Sequence, residues 1–156
     1  ALAVPLCRQI KIILQNRLAV LTGVIVGSLA GILSSFAIAS LLDVSPEIVM
    51  SLVPKSVTTP IAMEISTQIG GLASLTACFV IITGILGAMF GPEILNLLKI
   101  RNEIARGLAI GAAAHALGTT RAIQESQLQG AISGAAIGLV GLSTSILAPL
   151  LLAIIS

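Results

Sequence analysis

The stretch KSVTTPIAMEISTQ, residues 55–68, places a lysine, a glutamate, a proline and several hydroxyl side chains in a chain with few other charges. The chain of 156 residues is 56% hydrophobic and only 9% charged, with a mean hydropathy of +1.13. A soluble domain of this length needs a much larger share of charged residues on its surface. The composition therefore predicts an all-α integral membrane protein, within which this polar stretch requires an explanation.

Three stretches without any charged residue are long enough to cross a bilayer: 18–42, 69–91 and 130–155. Two segments of another kind, 46–68 and 105–129, lie between these spans. Each of them has an apolar first half, a polar break near its middle and a polar second half. We interpret the whole chain as a single transmembrane domain with three spans and two broken helices.

The two broken segments share a sequence pattern. A threonine doublet, a glutamate and a glutamine recur 61 residues later with unchanged spacing: Thr58, Thr59, Glu64 and Gln68, then Thr119, Thr120, Glu125 and Gln129. Four positions at one offset indicate an internal repeat. Interrupted hydrophobic segments at corresponding places in two repeats are the best sequence indication of a transporter's binding site.

The distribution of cations predicts how the broken segments enter the membrane. Cations cluster before the first span and after the second, at Arg8, Lys11 and Arg17 and at Lys99, Arg101 and Arg106. Short cytoplasmic loops are enriched in lysine and arginine, so both clusters should face the cytoplasm. Segment 46–68 must then enter and leave on the outer face as a re-entrant hairpin, and segment 105–129 does so from the inner face. This arrangement is an inverted repeat with tips meeting near the midplane.

The sequence also predicts how each tip is built. Pro60 suits the first position of a half-helix, where its missing N–H costs nothing, and Thr59 would then be the N-cap. In the second segment, Gly118 suits the end of one half-helix, and Thr119 or Thr120 suits the start of the next. Both tips would direct a helix N-terminus, which favours anions, toward the midplane.

The ionisable residues near the tips are candidates for binding or proton coupling. Lys55 and Arg121 would neutralise a carboxylate; alternatively they snorkel, or pair with Glu64 or Glu125. Charges inside a membrane are costly and usually functional, so we favour function, most strongly for Lys55. His115 would donate to a substrate oxygen or relay a proton, with packing between helices as the alternative.

The remaining polar residues have weaker assignments. Glu64 lies about 7.5 Å along a helix from Thr59, where it is a proton site or lines the entry. Glu125 is expected nearer the cytoplasmic edge, in contact with water. Hydroxyl groups near the tips are expected to contact substrate or to cap helices: Ser56, Thr58, Thr59, Thr119 and Thr120.

Other classes of protein lack support in the sequence. A single histidine, without paired metal ligands or a nucleophile–base set, predicts no enzyme and no metal site. A net charge of +2, with no tryptophan or tyrosine, predicts no nucleic-acid interface.

Three stretches resemble the LrgB/CidB family of bacterial membrane proteins: LVPKSVTTPIAMEIS (52–66), IGGLASLTACFVIITGILGAMFG (69–91) and ARGLAIGAAAHALGTTRA (105–122). The resemblance implies a protein of the bacterial cell membrane, and family members that extend further at the N-terminus. It implies two functions. The family includes the plastid glycolate/glycerate translocator, whereas its bacterial members resemble antiholin-like regulators of murein hydrolase activity that pair with a small LrgA/CidA-like membrane subunit.

We favour transport, because cationic, hydroxyl-rich tips form an anion site that a lytic pore or its inhibitor does not require. The expected substrate is a small carboxylate such as glycolate, glycerate or pyruvate. By analogy of fold, paired re-entrant hairpins resemble elevator-type transporters that work by alternating access. A homodimer is expected in the lipid bilayer, and H+ or Na+ is the expected coupling ion, with Glu64 or His115 as the proton site.

Overall fold

The computed structural model describes residues 3–155, including the side chains of residues 7–154. The described chain forms seven α-helices and no strand: α1 Ala3–Gln15, α2 Arg17–Leu41, α3 Pro46–Leu52, α4 Thr59–Gln68, α5 Ala73–Leu97, α6 Glu103–Glu125 and α7 Gln127–Ile155. The predicted all-α class is confirmed.

Three of these helices are long and apolar enough to cross a membrane: Arg17–Leu41, Ala73–Leu97 and Gln127–Ile154, with hydropathies of 2.1, 2.1 and 2.2. The second of them begins four residues later than the predicted span. The reason is a turn at the end of α4, where Gly70 has a φ of 89° and the Gly71 N–H donates to the Ser66 carbonyl at 2.7 Å. Glycine adopts this left-handed conformation readily and ends helices in this way.

The long helices are apolar on their outer faces as well as inside. On α2 a buried stripe at helical spacing faces the other helices: Val20, Val24, Ser28, Ile32, Ser35 and Ala39. Large side chains on its opposite face, among them Leu18, Val26 and Ile38, are more than half exposed. A contiguous exposed apolar surface of this kind suits contact with lipid.

Small residues bring α6 and α7 into close contact. A Cβ atom built on Gly107 would lie 2.5 Å from the Gln129 carbonyl oxygen, and one on Gly111 would lie 2.5 Å from the Ser133 carbonyl oxygen. Only glycine allows backbones to approach this closely. Because the residue numbers of the contacts rise together, residues 103–114, the first half of α6, run parallel to α7.

The same half of α6 also packs against α2. A Cβ atom on Gly23 would overlap the Leu108 side chain, and one on Gly27 would lie 3.3 Å from the Ala112 Cβ. The residue numbers again rise together along the two helices. Thus α2, the first half of α6 and α7 all run in the same direction through the bundle.

Helix α5 runs the opposite way. A Cβ atom on Gly87 would overlap the Ala114 side chain, whereas one on Gly91 would lie 3.9 Å from Ile110. Residue numbers rise along α5 as they fall along α6. The chain between α2 and α5 therefore begins and ends at one end of the bundle, and the chain between α5 and α7 begins and ends at the other.

Helix α6 folds back on itself at His115, which has a φ of 41° and a ψ of −134°. Its two halves lie side by side, because a Cβ atom on Gly118 would lie 2.8 Å from the Ile110 side chain. Arg106 and Glu125, at the two ends of the helix, form an ion pair at 2.8 Å. We call residues 103–125 the second fold-back.

The segment between α2 and α5 also turns back. The Thr76 hydroxyl on α5 lies 3.0 Å from the Ser51 carbonyl oxygen and 2.6 Å from the Ser66 hydroxyl. One side chain therefore contacts both α3 and the C-terminal part of α4, which brings these two parts of the chain together. We call residues 46–68 the first fold-back, and residues 53–58, which join its two helices, its tip.

Candidate anion site at the tip of the first fold-back

The first fold-back is unwound at its tip and resumes as a helix at Thr59. The N-cap is Thr58, with a φ of −63° and a ψ of 147°, and its side chain makes no capping hydrogen bond. The first helical bond runs from the Ala62 N–H to the Thr58 carbonyl at 2.8 Å, and Pro60 lies in the first turn, where an N–H would have no partner in the helix. The prediction that Thr59 is the N-cap, with Pro60 directly after it, is therefore wrong by one residue.

Lys55 is half-buried at this tip, and its charge has no opposite partner. Its Nζ donates to the Ser35 hydroxyl of α2, which in turn donates to the Gly31 carbonyl at 2.6 Å. Among the described side chains the only ion pair is between Arg106 and Glu125. A cation held inside the bundle by a neutral hydroxyl alone makes this tip a candidate anion site.

An open cavity of about 520 Å³ lies beside Lys55, between α5 and the first half of α6, and three side chains on its wall are about half exposed: Leu86, Phe90 and Ile94. A volume of this size is typical of small-molecule sites. Its walls are apolar except for two side chains, Lys55 and Thr83. Gly87 and Ala114, which are in contact where α5 meets α6, both line it. Because Ala114 directly precedes the His115 break, the cavity adjoins both fold-backs.

His115 occupies the break in the second fold-back and is buried there. Its Nε2 lies 2.9 Å from the Val80 carbonyl oxygen of α5, and its ring fills the space beside Gly84. The break predicted at Gly118 is wrong, because that residue is helical and buried. Gly118 is needed for the close approach of Ile110 rather than for a turn. The sequence alone does not separate these two uses of glycine.

The hydroxyl groups of the second threonine doublet also form hydrogen bonds within the protein. The Thr119 hydroxyl is buried, donates to the His115 carbonyl at 2.8 Å and lies 2.6 Å from the Ser133 hydroxyl. Thr120 is exposed and donates to Leu117 at 2.7 Å. Since Thr119 and Thr120 both follow the break within a helix, the prediction that one of them begins the next half-helix is wrong.

The other ionisable candidates lie away from the cavity. The Arg121 guanidinium donates to the Gln124 side chain at 3.3 Å. The Glu64 carboxylate is exposed and accepts from the Gln68 amide at 3.0 Å. The structure thus brings Lys55 to the cavity beside the second tip, whereas Arg121 and Glu64 have local partners.

A buried arginine, Arg106, closes the base of the second fold-back, whereas the sequence indicated it only as one of the cations expected to face the cytoplasm. Arg106 donates to Glu125 at 2.8 Å, to Asn96 at 2.9 Å, to the Ile100 carbonyl at 3.0 Å and to Gln129 at 3.4 Å. Glu125 is an exposed residue, and its side chain stays 21% accessible while it is paired with Arg106, which is compatible with the predicted contact with water. The repeat pattern marked Glu125 and Gln129, but pairing them with Arg106 requires knowing that α6 turns back.

Three long apolar helices, an outer apolar surface and polar groups folded inward define an integral membrane protein. The chain belongs to the LrgB-like family, whose model matches residues 1–154. No solved structure matches the chain.

Several curated proteins are similar to the chain over nearly its whole length. Uncharacterized protein YwbG of Bacillus subtilis strain 168 is 41% identical over 97% of the chain and 68% of its own length. An uncharacterized protein of Haemophilus influenzae is 38% identical over 96% of the chain and 64% of its own length. Antiholin-like protein LrgB of Bacillus cereus strain B4264 is 30% identical over 96% of the chain and 65% of its own length. The chain thus spans about two thirds of each relative.

Proposed function

We propose that the chain carries the substrate site of a membrane transporter for small monocarboxylates such as glycolate, glycerate or pyruvate. The observation that carries the proposal is Lys55, a half-buried cation with a neutral hydrogen-bond partner at the wall of a cavity of about 520 Å³. A carboxylate placed there gains a charge-assisted hydrogen bond in a low-dielectric environment. Thr83 of α5 lines the same cavity and would supply a hydroxyl for a second substrate oxygen.

The transport mechanism we propose is alternating access around this cavity. The two fold-backs would be re-entrant hairpins that enter the bilayer from opposite faces, related as an inverted repeat. The opposed directions of α2 and α5, and the pattern repeated at an offset of 61 residues, support this arrangement. An elevator-type movement of the fold-backs would then expose Lys55 to each side in turn.

A binding measurement on the purified protein tests the proposal. Thermal unfolding in detergent is recorded with glycolate, glycerate, pyruvate and lactate, for the wild type, for Lys55→Ala and for Lys11→Ala. A ligand that binds the native state raises its apparent stability. We expect one or more acids to raise the Tm of the wild type and of Lys11→Ala, which removes an exposed cation elsewhere.

For Lys55→Ala we expect the apparent affinity to fall by roughly tenfold or more, since hydrogen bonds to charged groups contribute about 1.5–3 kcal/mol. A variant that folds and binds the acid as tightly as the wild type would remove Lys55 from the site. Uptake into vesicles with and without an imposed pH gradient then tests proton coupling through Glu64 or His115.

A second function is supported by the printed name of the Bacillus cereus relative, antiholin-like protein. In this case the chain would regulate murein hydrolase activity and cell lysis together with a small LrgA/CidA-like membrane subunit. Lys55→Ala would then leave lysis control intact, whereas loss of the small subunit would abolish it. Both functions are compatible with a homodimer in the bacterial cell membrane.

A further inference from the structure

The two polar side chains of the cavity of about 520 Å³ lie together at one of its ends. Helix α5 runs antiparallel to the first half of α6, with Gly87 against Ala114. Thr83 lines the cavity about one turn before Gly87 on α5. Since Ala114 directly precedes the break in the second fold-back, Thr83 lies at the end of the cavity nearest this break.

Lys55 belongs to the same end. Its ammonium donates to the Ser35 hydroxyl of α2. Helix α2 runs parallel to the first half of α6, with Gly27 beside Ala112, and Ser35 follows Gly27 by about two turns. Because Ala112 lies within one turn of the break, Ser35 and the ammonium bonded to it lie past the level of the break, as Thr83 does.

The rest of the cavity is a long apolar groove. Glycine, alanine and aliphatic side chains, with one phenylalanine, form its other walls. From Thr83 to Ile94, helix α5 advances about 16 Å along this groove. The groove is open along one side, where Leu86, Phe90 and Ile94 are about half exposed. The site is therefore amphipathic, with a cation and a hydroxyl at one end and apolar walls along the remainder.

An amphipathic site of this kind discriminates against small hydroxy acids. Glycolate or glycerate would occupy only the polar end and leave most of the groove unfilled. Once the carboxylate is bonded to Lys55, the Thr83 hydroxyl is the only other polar side chain on the described walls that could bond the hydroxyl groups of glycerate. A hydroxyl buried without a partner lowers affinity, whereas an apolar tail gains affinity from contact with apolar walls.

We infer that the cavity selects monocarboxylates with an unbranched apolar tail, such as hexanoate and octanoate, over hydroxy acids. The carboxylate binds at Lys55, and the tail lies along the groove between α5 and α6. A neutral molecule with the same tail gains only apolar contacts, which lipid also supplies. The inference rests on the proposed function, because it names the substrate class of the same site.

Competition for radiolabelled octanoate on the purified protein in detergent tests the inference, with empty micelles as the blank. The competitors are acetate, butanoate, hexanoate, octanoate, glycolate, glycerate, pyruvate and the neutral octanol. Full burial of a methylene raises affinity about fourfold, so we expect about twofold for each methylene in a groove that is open on one side. Octanoate should then bind roughly 16-fold more tightly than butanoate, and also more tightly than each hydroxy acid. Octanol should not displace it.

Two variants and a control locate the tail and the carboxylate. Ala113→Leu narrows the groove and removes contact with about two methylenes, so the ratio of octanoate to butanoate affinity should fall to about fourfold or less. Ala105→Leu is the matched control, because Ala105 is exposed and lies on α6 outside the cavity wall. It should keep the ratio of the wild type. Lys55→Met retains an apolar side chain without the charge, and should reduce the affinity for octanoate to that for octanol.

The outcomes separate this inference from the proposed function. Binding of glycolate, glycerate or pyruvate that depends on Lys55 and is as tight as that of octanoate would overturn the selection for apolar tails and retain the carboxylate site. Octanoate binding that persists in Lys55→Met, or that octanol displaces equally well, would show an apolar surface for lipid and overturn the inference. Absence of binding by every acid would overturn both.

Discussion

The two fold-backs carry the same threonine doublet, yet their tips are held in different ways. The first tip makes one side-chain hydrogen bond to α2, from the Lys55 ammonium to the neutral Ser35 hydroxyl. The second is fixed by the buried His115 and Thr119, and its base is closed by the Arg106–Glu125 ion pair. One tip therefore leaves its charge available for a ligand, while the other uses its polar groups to stabilise the fold.

This difference teaches that a repeated motif does not imply repeated function. A buried polar group with its hydrogen bonds filled by the protein has no capacity left for substrate. The second tip thus forms an internally rigid wall of the cavity, and the first tip, with fewer internal bonds, is the part of the two fold-backs that we expect to be locally more mobile. Three predictions test this comparison, in order of decreasing effect.

Arg106→Ala should have the largest effect on stability. Removal of the buried guanidinium leaves the Asn96 and Gln129 side chains and the Ile100 carbonyl without their donor, so we expect a loss of about 3 kcal/mol in the free energy of unfolding. The measurement is unfolding of the purified protein in detergent. Arg101→Ala, at an exposed loop cation, should change stability by less than about 0.5 kcal/mol. Equal losses of stability in Arg106→Ala and Arg101→Ala would contradict the inference that Arg106 holds the base of the second fold-back together.

Gly111→Ala should have an intermediate effect, because its Cβ would lie 2.5 Å from the Ser133 carbonyl oxygen and 2.9 Å from the Ser133 Cα. Forcing α6 and α7 apart should cost about 1–3 kcal/mol. Gly138→Ala on α7 is the control, since nothing lies within 4 Å of the added methyl. Alanine is the better helix former by about 1 kcal/mol, so this variant should be slightly stabilised. A change of the same sign in the free energy of unfolding of both variants would contradict the close packing of α6 against α7.

The two threonine doublets give the smallest and most direct comparison. Thr119→Val removes a buried hydroxyl that bonds the His115 carbonyl and the Ser133 hydroxyl, so we expect a loss of about 1–2 kcal/mol. Thr59→Val in the first doublet should cost less than about 0.5 kcal/mol, because Thr59 is half-buried and its side chain caps nothing. If Thr59→Val proves the more costly, then the first tip is the structural one.

Much of the architecture followed from residue patterns. Charge-free runs predicted membrane helices near those observed, since the length and hydropathy of a helix are local properties. The polar breaks identified both segments that fold back, although the breaks were misplaced by one to three residues. Helix ends depend on which N–H donates to which carbonyl, and composition does not specify this choice.

The candidate site was predicted only in part. Lys55 stood out because a cation in an apolar chain is rare, and it adjoins the cavity. Arg121 and Glu64 stood out for the same reason but have neighbours in their own helices as partners. Partner choice depends on which side of a helix a residue occupies once the bundle has formed.

The sequence by itself determined the class of this protein, because the transfer of long apolar helices from water into lipid depends on their composition. It also determined the family and the positions of the two interrupted helices. Only the tertiary structure decided which of two equivalent tips is filled and which stays open. It paired Arg106 with Glu125 and left the hydroxyl of Ser28 without a partner. Such pairings depend on the distances between helices. These distances are set by the close packing of glycine faces, and no local sequence pattern specifies them.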